Sequence, residues 1–194
     1  MLFKSCKSKN LEVNFLINNA GIGQIGDFEA QDLDKMEKML VLNMISLTKI
    51  IYLFLPELKK NKGCIINVAS QASFMATPYM AAYGATKAYV LSLTESLWAE
   101  LKVTNLTIMA LCPGPTYTKF FERADTSTEC IRSKFRSPEE VVNNAISGIE
   151  NKKLVTKPGW ENSLTVFLSK FIPRKALLKI SSNFVKKESN CNRS

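Results

Sequence analysis

The stretch Ile17-Asn-Asn-Ala-Gly-Ile-Gly-Gln-Ile-Gly26 follows an apolar run, Val13 to Ile17, and contains the spacing Gly21-x-Gly23-x-x-Gly26. Read as a dinucleotide turn, the glycines would close a strand tightly and open a helix whose unpaired N–H groups receive a pyrophosphate. That reading also asks for an acidic residue about 20 positions on, at the end of the next strand, to hold a ribose hydroxyl. From Val41 to Pro56 there is no Asp or Glu, and the next strand-like run is Cys64 to Ala69. The second half of the fingerprint is missing. The glycines therefore need another explanation, which has to come from the residues around them.

Outward from this stretch the chain alternates short apolar runs with long helical patterns. Strands are expected at 13–18, 64–69 and 106–111, with helices at about 32–60 and 78–103 between them. A later helix is marked by Ser137-Pro138-Glu139-Glu140, which offers an N-cap serine, proline in the first turn and two acids. A short strand near 154–156 and helical segments at 160–171 and 173–187, broken at prolines, complete the order. Strands without period-two alternation, separated by helices, predict an α/β fold with a parallel sheet covered on both faces.

Composition narrows the function classes. With 194 residues and 46% hydrophobic content, one domain spanning 1–194 is expected, with 158–194 as a helical C-terminal extension. No run of 18 or more apolar residues is free of charge, so no spanning helix is expected. The first ten residues carry three lysines and no signal-peptide pattern, and a cytoplasmic setting is the expectation. The five cysteines are scattered and there is no histidine, which excludes His-based zinc sites and Ser-His or Cys-His nucleophiles; no metal site is expected.

The net charge of +9 is spread along the chain and is densest over 170–187, where the cations interleave with Phe171, Ile172, Leu177, Leu178, Ile180 and Phe184. This is the pattern of an amphipathic helix with a basic face. That face is either simply solvated or makes a peripheral contact with a membrane surface or acidic partner. No nucleic-acid module accompanies it, so no nucleic-acid partner is expected.

Polar residues interrupt two apolar helix stripes. Asn43 follows Leu33, Met36 and Leu40 and precedes Leu47 and Ile50, so it faces inward, either as a bonded core amide or as part of a site. Tyr83 and Lys87 are four apart on the next helix and continue through Leu91, Thr94, Leu97 and Leu101. A lysine held there would favour the phenolate of a neighbouring tyrosine and lower its pKa toward the range of a proton donor. Ser70 ends the strand at 64–69, at the edge where open parallel sheets bind ligands.

These residues carry a resemblance. Asn18-Asn19-Ala20-Gly21, Asn43, Ser70, Tyr83-Gly-Ala-Thr-Lys87 and Pro113-Gly114-Pro115-x-x-Thr118 occur in the order and spacing of the short-chain dehydrogenase/reductase family, over about residues 11 to 157. The interval from Ser70 to Tyr83 fits that family, and Ser73 is the competitor for the serine role. The resemblance implies a Rossmann-like doubly wound parallel sheet. It implies an NAD(P)-dependent oxidoreductase that interconverts a carbonyl and an alcohol by hydride transfer. Tyr83 would be the acid/base, Lys87 would lower its pKa and hold the nicotinamide ribose, Ser70 would bind the substrate oxygen, and Asn43 would anchor a proton-feeding water. Asn18, Ala20 and Gly21 would lie beside the cofactor's adenosine ribose, with Pro113, Gly114 and Thr118 flanking the nicotinamide. On this reading Gly21, Gly23 and Gly26 form a turn toward the substrate, and their match to the dinucleotide fingerprint is coincidental.

The chain departs from the family at its start. At roughly 30 residues per βαβ unit, about 60 to 80 residues should precede Asn18, and 17 do. The first strands and the glycine-rich turn are missing, so the strand at 13–18 is expected at an exposed edge. The rival to an enzyme is therefore a catalytically inactive remnant or binding module. The resemblance implies a homodimer or tetramer through the helices holding Asn43 and Tyr83. The segment 119–136 would be the substrate lid. It holds Phe120, Phe121, Ile131 and Phe135 beside Lys119, Arg123, Arg132, Lys134 and Arg136. That mixture is either an ordinary basic loop or a lid suited to an apolar carbonyl substrate with a negative end.

Overall fold

In the computed structural model, which describes residues 2–124, 135–159, 164, 167 and 171–190, the apolar runs become strands β1 (Phe15–Asn18), β2 (Cys64–Val68) and β3 (Thr107–Leu111). A short β4 (Val155–Thr156) joins them in one parallel sheet of order β1-β2-β3-β4. The register pairs Ile17 with Ile66, Asn18 with Asn67 and Asn67 with Ala110, so the strand ends bearing Asn18, Ser70 and Cys112 finish at one edge.

Helix α1 (Leu2–Ser8) precedes the sheet, and α2 (Leu33–Leu40) runs through a widened π-helical turn, Val41–Ser46, into α3 (Leu47–Lys60). Helix α4 (Ala81–Glu100) follows β2. A short α5 (Phe120–Arg123) and α6 (Pro138–Glu150) lie between β3 and β4, and α7 (Arg174–Asn190) is the last. Ser137 caps α6 as expected, its hydroxyl accepting from the Glu140 N–H at 3.1 Å.

Helices lie on both faces of the sheet, on one face over β1 to β3 and on the other over β2 and β3 alone. On one face Leu47, Ile51, Phe54 and Leu58 of α3 and Val90 and Leu91 of α4 pack on Leu16, Ile65, Ile108 and Ala110. On the other, Val141 and Ala145 of α6 close on Cys64, Ile66, Met109 and Leu111. The crossovers place helices alternately enough to make half of a doubly wound sheet. Strand β1 stands at the edge of the sheet, as expected, with Phe15 and Ile17 exposed.

Three features depart from the sequence reading. Helix α1 forms because Phe3 packs edge-on against Phe54, with ring centroids 5.2 Å apart, and Lys7 pairs with Glu57 at 2.8 Å. Helix α4 starts at Ala81 and not Pro78, since Tyr79 adopts a left-handed φ of 64° that a helix excludes. The continuous helical stretch Leu33–Lys60 is, contrary to expectation, long and apolar enough to cross a membrane. Here its buried stripe is core, packed on β1 and α4.

Candidate active site

The π-helical turn sets Asn43, which is 2% exposed. Widening one turn to i→i+5 shifts the face that follows, and such turns recur at functional sites. The Asn43 amide bridges two elements: Oδ1 accepts from the Ile22 N–H at 3.1 Å, and Nδ2 donates to the Ile22 carbonyl at 2.9 Å and to Thr86 Oγ1 at 3.0 Å. Its side chain is thus spent on holding the loop after β1 against α4.

That loop answers the question of the three glycines. The Gly26 N–H donates to the Tyr79 carbonyl at 2.9 Å, and a Cβ on Gly23 would lie 2.6 Å from the Phe120 ring and 3.1 Å from Tyr83. Gly23 is glycine because two aromatic rings occupy the space of a side chain, and the next element is a 3-10 turn, Phe28–Ala30. No helix opens there to receive a pyrophosphate.

Tyr83 and Lys87 project from the first turns of α4 toward the strand ends, and both are buried. The Lys87 ammonium, 6% exposed, donates to the Val68 carbonyl at 2.7 Å. A Cβ built on Gly21 would sit 3.4 Å from Lys87 Nζ and 3.3 Å from Asn43 Oδ1, so Gly21 keeps the floor between them open. Burial lowers the Lys87 pKa to about 8, because the charged form loses hydration.

The expected lowering of the Tyr83 pKa is not what the structure has. Burial pushes Tyr83 up to about 12, with the Ser70 hydroxyl, hydrogen-bonded to it, pulling it partly back. Lys87 does not offset this burial: its Nζ stands 5.9 Å over the centroid of the Tyr83 ring, and its N–H bond is directed at the Val68 carbonyl. At neutral pH the phenol therefore carries its proton.

Between the two candidate serines the geometry is clear. Ser70 Oγ meets Tyr83 and accepts from the Ala72 N–H at 3.1 Å. Ser73 Oγ donates to the Lys87 main-chain carbonyl at 2.8 Å and accepts from the Ser70 N–H at 3.2 Å, so it ties the Ser70 turn to α4. The Gln71 N–H donates to the Pro113 carbonyl at 2.9 Å and Thr116 Oγ1 to the Gly114 carbonyl at 3.0 Å, which joins the 113–118 loop to the same edge. Thr118 Oγ1 accepts from the Phe120 N–H at 3.3 Å at the start of α5. Ala20 is exposed on the adjacent loop.

Sequence reading missed a buried polar chain beneath the site. Asn18 Nδ2 donates to Asn67 Oδ1 at 2.8 Å, Asn67 Nδ2 donates to Thr94 Oγ1 at 2.9 Å, and Thr94 donates to the Val90 carbonyl at 2.6 Å. The one available signal was Asn67, a polar residue in the middle of an otherwise apolar strand.

Above the site runs a file of aromatic rings. Tyr83 and Phe120 lie 5.2 Å apart, Phe120 and Phe121 5.3 Å, Phe121 and Phe135 5.0 Å, and Phe135 and Tyr117 5.1 Å. The base of this segment is stapled where the Tyr117 N–H donates to the Arg136 carbonyl and the Arg136 N–H to the Pro115 carbonyl, each at 3.0 Å. Arg136 pairs with Glu140, so its charge is engaged at the start of α6. Ile131, Arg132 and Lys134 of the expected lid lie outside the described residues.

Comparison with known proteins identifies the family and the fold. The family described as short chain dehydrogenase matches residues 1–129. Estradiol 17-beta-dehydrogenase 11 of Homo sapiens is 31% identical over 191 residues, covering 93% of this chain and 62% of that protein. A short-chain dehydrogenase from Sphingobium yanoikuyae, solved in complex with NADPH, superposes with a TM-score of 0.74 at 28% identity, over 88% of this chain and 71% of the other. The bulky-bulky ketone specific alcohol dehydrogenase from Comamonas testosteroni gives a TM-score of 0.68 at 27% identity, over 87% and 65%. The chain spans 58–62% of the length of the estradiol dehydrogenases from three primates that it matches.

Proposed function

The chain belongs to the short-chain dehydrogenase family, and from that premise we propose that it is the catalytic and substrate-binding part of an NAD(P)-dependent oxidoreductase acting on an apolar ketone or secondary alcohol. The observation that carries this reading is the grouping of buried Tyr83 and Lys87 with half-buried Ser70 at the carboxyl edge of a parallel sheet, where such folds bind ligands.

The residues at this edge suit the nicotinamide-ribose half of the cofactor. Gly21 leaves open the floor beside Lys87 Nζ, and Lys87, with one N–H on Val68, has further donors for ribose hydroxyls. Ala20 and Gly21 would border the site on the side of the adenosine ribose, and Pro113, Gly114 and Thr118 would flank the nicotinamide. Asn18 would act through Asn67, by fixing the end of β1. Bound there, the reduced nicotinamide supplies the hydride.

The chain's own part is proton placement and orientation. Ser70 would hold the substrate oxygen, and Tyr83, protonated across the neutral range, would donate its proton to that oxygen as negative charge develops. In the oxidative direction Tyr83 would first release its proton toward Lys87, and its phenolate oxygen would then accept the proton of the substrate hydroxyl. Lys87 would replenish the Tyr83 proton by way of a water on the main-chain carbonyl of Asn43, whose side chain is already committed to Ile22 and Thr86.

The aromatic file from Tyr83 to Tyr117 supports a flat or bulky apolar substrate, which stacks on rings at little conformational cost. The kinship with an estradiol dehydrogenase and a bulky-ketone dehydrogenase points the same way. A homodimer through the exposed Val41, Ile45, Tyr52 and Tyr89 of α2–α4 completes the proposal.

The test is ketone reduction by purified protein supplied with NADPH, with Tyr83→Phe as control. It is run on this chain and on the chain extended at its N-terminus by the first βαβ units of a relative. Turnover of a bulky aryl ketone, lost in Tyr83→Phe, is expected of the extended chain. Turnover unchanged by Tyr83→Phe, or absent from both chains, would overturn the reading. A second reading, a non-catalytic module, is favoured by the bare β1 edge, where Phe15 and Ile17 are exposed. It predicts capture of a strand from another chain, with no NADPH stabilisation in either form.

A further inference from the structure

We propose that the C-terminal surface around α7 docks on an anionic lipid bilayer. Phe167 and Phe171 are 57% and 72% exposed, and their rings meet edge to face at 5.2 Å. Leu164, Leu178 and Ile180 are exposed beside them in sequence and on α7. Leu164, Phe167 and Phe171 stand three and four positions apart, and large apolar side chains turned to water in such a group mark a contact surface more than a solvated face.

Charge identifies the occupant. Between Glu161 and Glu188 the chain has no acidic residue and six cations, Lys170, Arg174, Lys175, Lys179, Lys186 and Lys187. Arg174, Lys175 and Lys179 lie exposed among the apolar side chains. A nucleic acid or an acidic peptide would satisfy the cations and leave the phenylalanines and leucines in water. The headgroup region of a bilayer takes both at once, with cations at phosphates and apolar side chains at the acyl boundary.

The placement of α7 adds a consequence. The Ser181 hydroxyl donates to the Ala76 carbonyl at 3.3 Å, on the turn that leads from Ser73 to Tyr83. The docked surface is therefore continuous with the rim of the candidate site, and the bilayer would lie beside its entrance. Docking itself is independent of any reaction at that site.

The experiment is co-flotation of the full chain with vesicles of pure phosphatidylcholine and of an equal mixture of phosphatidylcholine and phosphatidylglycerol. Binding to the mixed vesicles alone is expected, lost at high salt. Because these side chains are exposed, the double variants Lys175→Glu/Lys179→Glu and Phe167→Ser/Phe171→Ser should fold as the parent does, checked by circular dichroism. Each should weaken vesicle binding roughly tenfold or more. Equal binding to both vesicles, no binding to either, or full binding by both variants would overturn the proposal. Tight binding to a short oligonucleotide in place of vesicles would overturn it in favour of a nucleic-acid partner.

Discussion

The Lys87 ammonium is fastened to the Val68 carbonyl at 2.7 Å, so its charge is held at the end of β2, over the Tyr83 ring and away from a direct bond to its hydroxyl. This separates two tasks. Tyr83 would handle the proton, and Lys87 would handle ribose hydroxyls and long-range charge. Tyr83→Phe removes one hydroxyl and keeps the ring that packs on Phe120, Met36 and Met39. In the extended chain it should lower ketone reduction by about 10²–10⁴-fold and leave NADPH affinity within about twofold. Lys87→Ala should weaken NADPH binding by at least about tenfold as well. Isothermal titration of both variants checks this, and equal loss of affinity in the two would refute the division.

Asn43 makes three hydrogen bonds from a site 2% exposed, and two of them reach across to Ile22. In Asn43→Ala the half-buried Ile22 N–H and C=O lose their partner, and the buried Thr86 hydroxyl loses the Asn43 donor while keeping its bond to the Tyr83 carbonyl. The expected cost is about 2–3 kcal/mol, read as a lower urea midpoint with an unchanged slope. A midpoint equal to that of the parent would show that the loop after β1 is held by other contacts.

A Cβ on Gly84 would fall 2.2 Å from Thr77 Oγ1, so α4 has glycine there to let the turn 74–80 lie against it. Gly84→Ala should cost roughly 1–3 kcal/mol through overpacking. Removing the obstructing hydroxyl with Thr77→Ala should recover much of that loss in the double variant. Additive effects in the double-mutant cycle would mean that the helix, and not the Thr77 contact, decides the cost.

The strands, the long helices and the i, i+4 relation of Tyr83 and Lys87 were legible because they depend on local periodicity. The edge position of β1 was legible from family order. Other features depend on partners far away in sequence. Helix α1 carries too few apolar residues to be seen until Phe54 offers Phe3 a face. The π-helical turn at Val41–Ser46 has no local signature, and its use is the reach of Asn43 to Ile22 and Thr86. The role of Ser73 as a tie to the Lys87 carbonyl, and the Asn18–Asn67–Thr94 chain, arise only when strand ends meet α4. The direction of the Tyr83 shift was misread for a related reason: spacing puts Lys87 near Tyr83 but says nothing of burial, which dominates.

Tyr52 is 78% exposed on α3, flanked by Ile45 on the same helical run and by Tyr89 of α4, whose hydroxyl lies 2.8 Å from Thr48 Oγ1. If this face joins two copies, Tyr52→Glu places two like charges near the two-fold axis and should shift sedimentation from dimer to monomer at micromolar concentration. The variant should melt as the parent monomer does, because Tyr52 has no core contacts to lose. A parent already monomeric at that concentration would count against the homodimer.

As pH rises, Lys87 should move stability and cofactor affinity in opposite directions. Burial lowers the folded-state pKa of Lys87 to about 8, from an ordinary value of 10.5. Below pH 8 the lysine is charged in both states and the folded protein bears the whole cost of burying that charge. Between about 8 and 10.5 the folded protein sheds the proton first, so the unfolded state binds more protons and stability rises with pH. That gain should be on the order of 1 kcal/mol per pH unit within the window and absent from Lys87→Met. Tyr83 acts with the opposite sign only above about pH 10, where the folded state keeps a phenolic proton that the unfolded state has lost. NADPH affinity, in contrast, should fall as pH passes 8, since the ribose would lose a cationic donor. Urea titrations and NADPH binding at a series of pH values, for the extended chain and its Lys87→Met variant, measure both slopes. Parallel pH dependence in the two proteins would mean that Lys87 does not titrate near 8, and the assignment of the proton reservoir to it would fail.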